Sequence, residues 1–184
     1  MMSQQIDKGL TIMDFFSRIR RMISGQERVV GAIDILAPVS GKIVDLEQVP
    51  DAVFADKIVG DGIAIQPEGR YLVAPISGKI GKMFDTHHAF SIESPQGVEL
   101  FVHFGIGTIE LRGNGFTGLV NSGDTVEAGQ PIIEFDLDYL KQQQLCLLTP
   151  VVVANMEDFK GINKYSGRVK ANKDVIFSIN TQAK

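Results

Sequence analysis

A seven-residue string occurs twice in this chain, as Ala37-Pro-Val-Ser-Gly-Lys-Ile43 and as Ala74-Pro-Ile-Ser-Gly-Lys-Ile80, thirty-seven residues apart. Near identity over that length, with a single recurrence, implies two similar structural units packed together, because two copies are too few for a solenoid. From about residue 32 the chain reads as short apolar runs punctuated at brief intervals by glycine and proline, and long helical periodicity is absent. A third glycine-rich stretch, Asn121-Ser-Gly-Asp-Thr-Val-Glu-Ala-Gly-Gln130, turns into the apolar run Pro131-Ile-Ile-Glu-Phe135. Residues 138–147 add one helical turn or two. The expected class is all-β, an antiparallel sandwich or barrel with a duplicated motif.

All three histidines, His87, His88 and His103, fall within one seventeen-residue window. Imidazole is the one side chain whose ordinary pKa lets it act as nucleophile, acid or metal ligand near neutral pH. Ser94-Pro-Gln-Gly97 is a good turn tetrad between two strand-like runs, His88–Glu93 and Val98–Phe104, so the window is a hairpin. If Pro95 and Gln96 form a two-residue loop, Phe90 faces Phe101 and His88 faces His103, with opposed Cβ atoms roughly 5 Å apart. If the turn closes through a bulge at Gly97, the register shifts by one and the rings go to opposite faces. Spacing alone does not choose between them.

The rest of the composition narrows the function. A net charge of −4 with no dense basic cluster argues against nucleic acid. Cys146 is the only cysteine, so no intramolecular disulfide exists and a reducing, cytoplasmic compartment is expected. No apolar run approaches the length of a membrane span. Residues 1–31 read as a tail whose segment from about 11 to 23 is an amphipathic helix: Ile12, Phe15, Phe16, Ile19, Met22 and Ile23 at helical spacing, with Arg18, Arg20 and Arg21 beside them. That helix either lies on an anionic membrane surface or packs on its own globule, which occupies 32–184.

Four further strings carry a resemblance: Pro50–Ile65, His88-Ala-Phe-Ser-Ile-Glu-Ser94, Gly97-Val-Glu-Leu-Phe-Val-His-Phe-Gly-Ile106 and Leu148-Thr-Pro-Val-Val-Val153. In order and spacing they resemble the glucose-specific enzyme IIA family of the bacterial phosphotransferase system, from about Ile33 to the C-terminus. The resemblance implies a β-sandwich phosphocarrier of duplicated hybrid type. It implies that His103 takes a phosphoryl group, on its tele nitrogen, from the histidine-containing phosphocarrier protein. The group then passes to the IIB domain of a IIB/IIC sugar permease. It implies that His88 is the second imidazole, abutting the acceptor and stabilising the phosphoryl group, which supports the two-residue register, and that Thr86 orients His88. Gly105 would let the backbone approach the phosphate, and no carboxylate should abut the pair.

The same resemblance implies a hydrophobic docking face of Phe54, Ile58, Val59, Phe84, Phe101 and Ile109, with Asp51 as an acidic rim residue. Phe101 shares the His103 face of its strand by period two. Relatives carry an aspartate where this chain has Gly107, and an asparagine at His87, which is assigned no role. No cofactor is required. Zinc would suit His88 and His103, but two ligands are too few, so a partner carboxylate would have to complete the site. Regulatory targets of the family kind, namely transporters, glycerol kinase and adenylate cyclase, are implied by resemblance alone.

Two readings from other classes compete. A zinc hydrolase of related β architecture would need a third protein ligand, typically from a His-x-His pair, and none occurs. A biotinyl or lipoyl carrier module, suggested by the Ala-Pro-x-Ser-Gly-Lys strings, would present its lysine in a Met-Lys-Met type turn, which is also missing.

Overall fold

The computed structural model describes residues 31–181, so the amphipathic helix expected near 11–23 and the tail before it lie outside the described residues. In chain order the described strands are β1 (Ala32–Leu36), β2 (Ser40–Asp45), β3 (Asp61–Glu68), β4 (Tyr71–Val73), β5 (Gly78–Met83), β6 (Ala89–Glu93), β7 (Glu99–His103), β8 (Phe116–Gly118), β9 (Thr125–Val126), β10 (Pro131–Phe135), β11 (Thr149–Val153), β12 (Gly161–Lys164), β13 (Arg168–Val169) and β14 (Val175–Asn180). They form an eight-stranded sheet, β13-β2-β3-β11-β7-β6-β5-β9, and two three-stranded sheets, β1-β14-β12 and β4-β10-β8. Every pairing is antiparallel, as the punctuated strand pattern predicts.

The duplicated string opens equivalent strands. In one copy Gly41 is the second residue of β2, opposite Pro67 of β3, and in the other Gly78 is the first residue of β5, next to Lys79, which lies opposite Glu93 of β6. A Cβ at Gly41 would stand 1.9 Å from the Gln66 carbonyl oxygen, and one at Gly78 would stand 2.2 Å from that of Glu93. The glycine in each copy therefore buys close strand approach. The copies also bind each other reciprocally: Leu36 N–H donates to Pro75 O at 3.0 Å and Val73 N–H to Pro38 O at 2.7 Å.

The relation extends across the large sheet, whose order is the same read from either end: β13-β2-β3-β11 answers β9-β5-β6-β7. Pairing registers place β6 on β3 and β7 on β11 so that His103 corresponds to Val152 and His88 to Asp61. The loops after β9 and β13 correspond as well. Gly129 and Asn172 both adopt left-handed backbone, φ 84° and 56°, and meet each other, as suits the two residue types that tolerate it best. Only Val126 and Ala128, matched by Val169 and Ala171, mark that correspondence in the sequence.

Two apolar clusters result. The larger fills the space between the sheets and includes Phe90, Phe104, Phe177 and Ile63. The smaller, Leu46, Val49, Phe54, Val59, Ala64, Ala89, Phe101 and Val152, lies on the other face of the large sheet. Its lid is the segment between β2 and β3, with a one-turn helix, α1 (Ala52–Ala55), started by Asp51, whose Oδ1 accepts from Val53 N–H at 2.8 Å. The helical turn expected within 138–147 is α2, Leu137–Gln142, similarly capped by Asp136.

Candidate functional site

The expected hairpin is β6-β7, but it closes differently from the two-residue loop. Gly97 N–H donates to Ser94 O and Ser94 N–H to Val98 O, both at 2.9 Å, and Gly97 sits at φ 80°. This is a three-residue loop with a left-handed glycine bulge, a conformation glycine reaches without steric cost. Ala89, and not His88, therefore lies opposite His103, and Ser91, not Phe90, faces Phe101. Strand alternation alone would now separate the imidazoles. They meet because His88 precedes β6 in a bend that follows left-handed His87, φ 52°, outside the pleat to which alternation applies.

The two ring centroids are 4.8 Å apart with planes at 81°, an edge-to-face contact. Three phenylalanines enclose them. Phe54 and Phe101 lie 5.4 and 5.8 Å from His103, and Phe84 lies 5.6 Å from His88. His88 is 2% exposed, whereas His103 is only half-buried, so the exposed imidazole is the one a partner could reach.

Hydrogen bonds fix both rings. His103 Nδ1 lies 2.7 Å from the carbonyl oxygen of Gly105, which can only accept, so Nδ1 carries the proton and Nε2 keeps its lone pair. Thr86 Oγ1 is 2.6 Å from His88 Nδ1. Burial, and after it the neighbouring His103, pushes His88 down to about 4. Burial also lowers His103, partly offset by its bond to Gly105 and by the charge of Asp51. Both imidazoles are thus held neutral near pH 7. Asp51 acts on His103 only through its charge, from its place as a helix cap.

The other sequence-predicted residues divide. Ile58 and Ile109 are each 52% exposed, and so are open to contact. Phe54, Val59 and Phe101 are 3%, 5% and 1% exposed and belong to the small cluster beneath the histidines, so they are floor and wall, not exposed docking residues. Phe84 is partly buried against the same cluster. A lone sequence does not separate these cases, because a phenylalanine on the active face of a strand reads alike whether a lid covers it or not.

Gly105 is also needed for packing: at φ 67° its Cβ would stand 2.7 Å from Thr108 Cγ2 and 2.9 Å from the Cys146 carbonyl, so its smallness admits the Cys146 segment. Its carbonyl as the Nδ1 acceptor had no signal in the sequence. Gly107 is left-handed too, φ 75°, and the nearest atom to a Cβ there is Leu145 Cδ2 at 3.7 Å. Among the described residues no group of three His, Cys, Asp or Glu side chains is placed to hold a metal ion, and the histidine pair alone does not close a tetrahedral site.

Known proteins similar to this chain belong to one sugar phosphotransferase system. Residues 33–159 match the family described as phosphoenolpyruvate-dependent sugar phosphotransferase system, EIIA 1. The chain is 48% identical over 159 residues to the glucose-specific EIIA component of Haemophilus influenzae, covering 86% of this chain and 96% of that one. It is 44% identical over 151 residues to the N-acetylglucosamine-specific EIICBA component of Escherichia coli, covering 82% of this chain and 23% of that longer one. The solved structure of glucose permease IIA from Mycoplasma capricolum overlays with a TM-score of 0.74 at 33% identity, covering 80% of this chain and 96% of that one.

Proposed function

Because the chain belongs to the EIIA 1 family of the phosphoenolpyruvate-dependent sugar phosphotransferase system, as a glucose-type IIA phosphocarrier, we propose that His103 is its phosphoryl acceptor and His88 the imidazole that steadies the transferred group. The observation that carries this is the tautomer lock: Nδ1 of His103 is committed to Gly105 O at 2.7 Å, which leaves Nε2 as the nucleophile at the partly exposed edge.

The donor is the histidine-containing phosphocarrier protein. Nε2 of His103 forms a bond to phosphorus as the donor's N–P bond breaks, and the electron pair of that bond returns to the donor imidazole. Such a transfer needs positioning and charge stabilisation more than covalent assistance. As Nε2 bonds, positive charge develops on the ring, and the Nδ1–H bond to the Gly105 carbonyl strengthens in response. Thr86 donates its hydroxyl proton to His88 Nδ1, which leaves the Nε2–H of His88 to donate to a phosphoryl oxygen.

The phosphoryl group then leaves for a cysteine on the IIB domain of a sugar permease. The E. coli relative's EIICBA name, joining three components in one chain, supports that recipient. Ile58, Ile109 and Asp51 contact both partners in turn, and regulatory proteins use the same face. A zinc ion could bind there only with a carboxylate from such a partner. Among the described residues no helix is long and apolar enough to cross a membrane, and we place the protein in the cytoplasm.

Incubation with the upstream carriers and labelled phosphoenolpyruvate tests the assignment. Label should appear in the native protein and vanish in His103→Gln; label that survives in that variant refutes the acceptor.

A further inference from the structure

We propose that His87 is a positioning residue of the phosphoryl-transfer site, a strut that braces the turn carrying Thr86 and His88 against β8 of the neighbouring sheet. The inference rests on the roles proposed above for His88 and Thr86. His87 stands between those two residues with left-handed backbone, φ 52°, and its N–H closes the turn on Phe84 O at 2.8 Å. The ring that follows this turn packs on Gly118.

The contact there is close. A Cβ built on Gly118 would stand 2.5, 2.7 and 3.1 Å from Cδ2, Nε2 and Cγ of His87. Three ring atoms crowd one missing methyl group, so the ring occupies the space that glycine leaves open. Gly113, φ 91°, lies similarly under Thr86, its Cβ position 3.9 Å from that residue's Cα and O. Both ends of the segment that contains β8 therefore support the turn. β8 is itself fixed, since Gly118 pairs with Ile133 in the β4-β10-β8 sheet. The strut ties the bend to a second sheet, and the His88 ring inherits its orientation from that tie.

Three variants test this: G118A, H87G and the double variant H87G/G118A. Glycine at 87 keeps the left-handed backbone and removes the ring. Histidine ring nitrogens are followed by 15N NMR through a pH titration, and phosphoryl acceptance is measured separately from onward transfer to the permease IIB domain. In G118A the added methyl displaces His87, the His88 ring signals shift, its titration midpoint rises, and onward transfer falls about tenfold to a hundredfold. Acceptance at His103 falls much less. H87G shows a smaller change of the same kind, and the double variant is no worse than H87G, because the clash needs the ring.

Native His88 signals and native onward transfer in both G118A and H87G overturn the proposal, as does a double variant whose losses simply add. Should G118A fail to fold, H87G decides alone: unchanged His88 titration refutes the strut. If the native protein accepts no phosphoryl group, the functional reading fails while the NMR arm still decides whether His87 holds His88.

Discussion

The depressed pKa of His88 makes a prediction about stability against acid. In the folded chain the ring is pushed from 6.5 to about 4, chiefly by burial. Folding therefore favours neutral His88, and as pH falls below neutrality the unfolded chain takes up this proton first. Stability contributed by the neutral ring is intact above pH 6.5, declines between 6.5 and about 4, and is fully lost below. At one pKa unit for about 1.4 kcal/mol, the full loss is about 3 kcal/mol. At pH 5 about 2 kcal/mol of it has been lost, or about 1 kcal/mol if the site edge is well solvated.

The perturbation is His88→Gln, which replaces the imidazole with an amide of similar reach that has nothing to titrate. Urea unfolding followed by far-ultraviolet circular dichroism, at pH 8 and pH 5, gives four free energies. Native protein should lose about 1 to 2 kcal/mol more than the variant between the two pH values. The lowered pKa of His103 and the raised pKa of Glu93 act in both proteins and cancel in the difference. Equal losses would refute the reasoning, since His88 would then titrate alike folded and unfolded.

Other expectations follow from the same structure. His88→Gln should still accept label on His103 but pass it to the permease at least about a hundredfold more slowly; normal onward transfer contradicts the role of His88. Gly41→Ala and Gly78→Ala should each cost about 3 kcal/mol or more in denaturant unfolding, because the methyl meets a backbone carbonyl that cannot move aside. Gly69→Ala, with open space around it and φ 86°, should cost only about 1 kcal/mol. Phe101→Ala should destabilise by about 3 to 5 kcal/mol as a buried aromatic. Ile109→Ala should change stability by less than about 0.5 kcal/mol yet slow transfer between partners, measured as a raised KM for the upstream carrier.

The β architecture and the duplicated strand openings could be read from the sequence because glycine and proline act locally. Gly41 and Gly78 serve backbone approach in both copies, and the string that contains them survived almost unchanged. The pairing of His88 with His103 was legible as a contact but not as a register. Ser94-Pro-Gln-Gly97 suits two loop lengths, and the choice is made by the left-handed backbone of Gly97 together with the rest of the sheet. The bend at His88, which restores the contact, depends on His87 adopting φ 52°, a conformation for which histidine gives no strong local signal. Burial of Phe54, Val59 and Phe101 was hidden for another reason: it is created by the segment between β2 and β3 folding back over the large sheet, a long-range event.

The near two-fold pairing of the large sheet bears on how many phosphoryl groups one chain can carry. His103 corresponds to Val152, which is fully buried and belongs to the same small cluster as Phe101. The unreactive half is thus part of the foundation under the reactive half, and a histidine installed at 152 would be an enclosed imidazole with no route for a partner. With His103 as the proposed acceptor, the duplicated frame offers a single acceptor position, and a loading stoichiometry of one is the expected result when label per chain is measured.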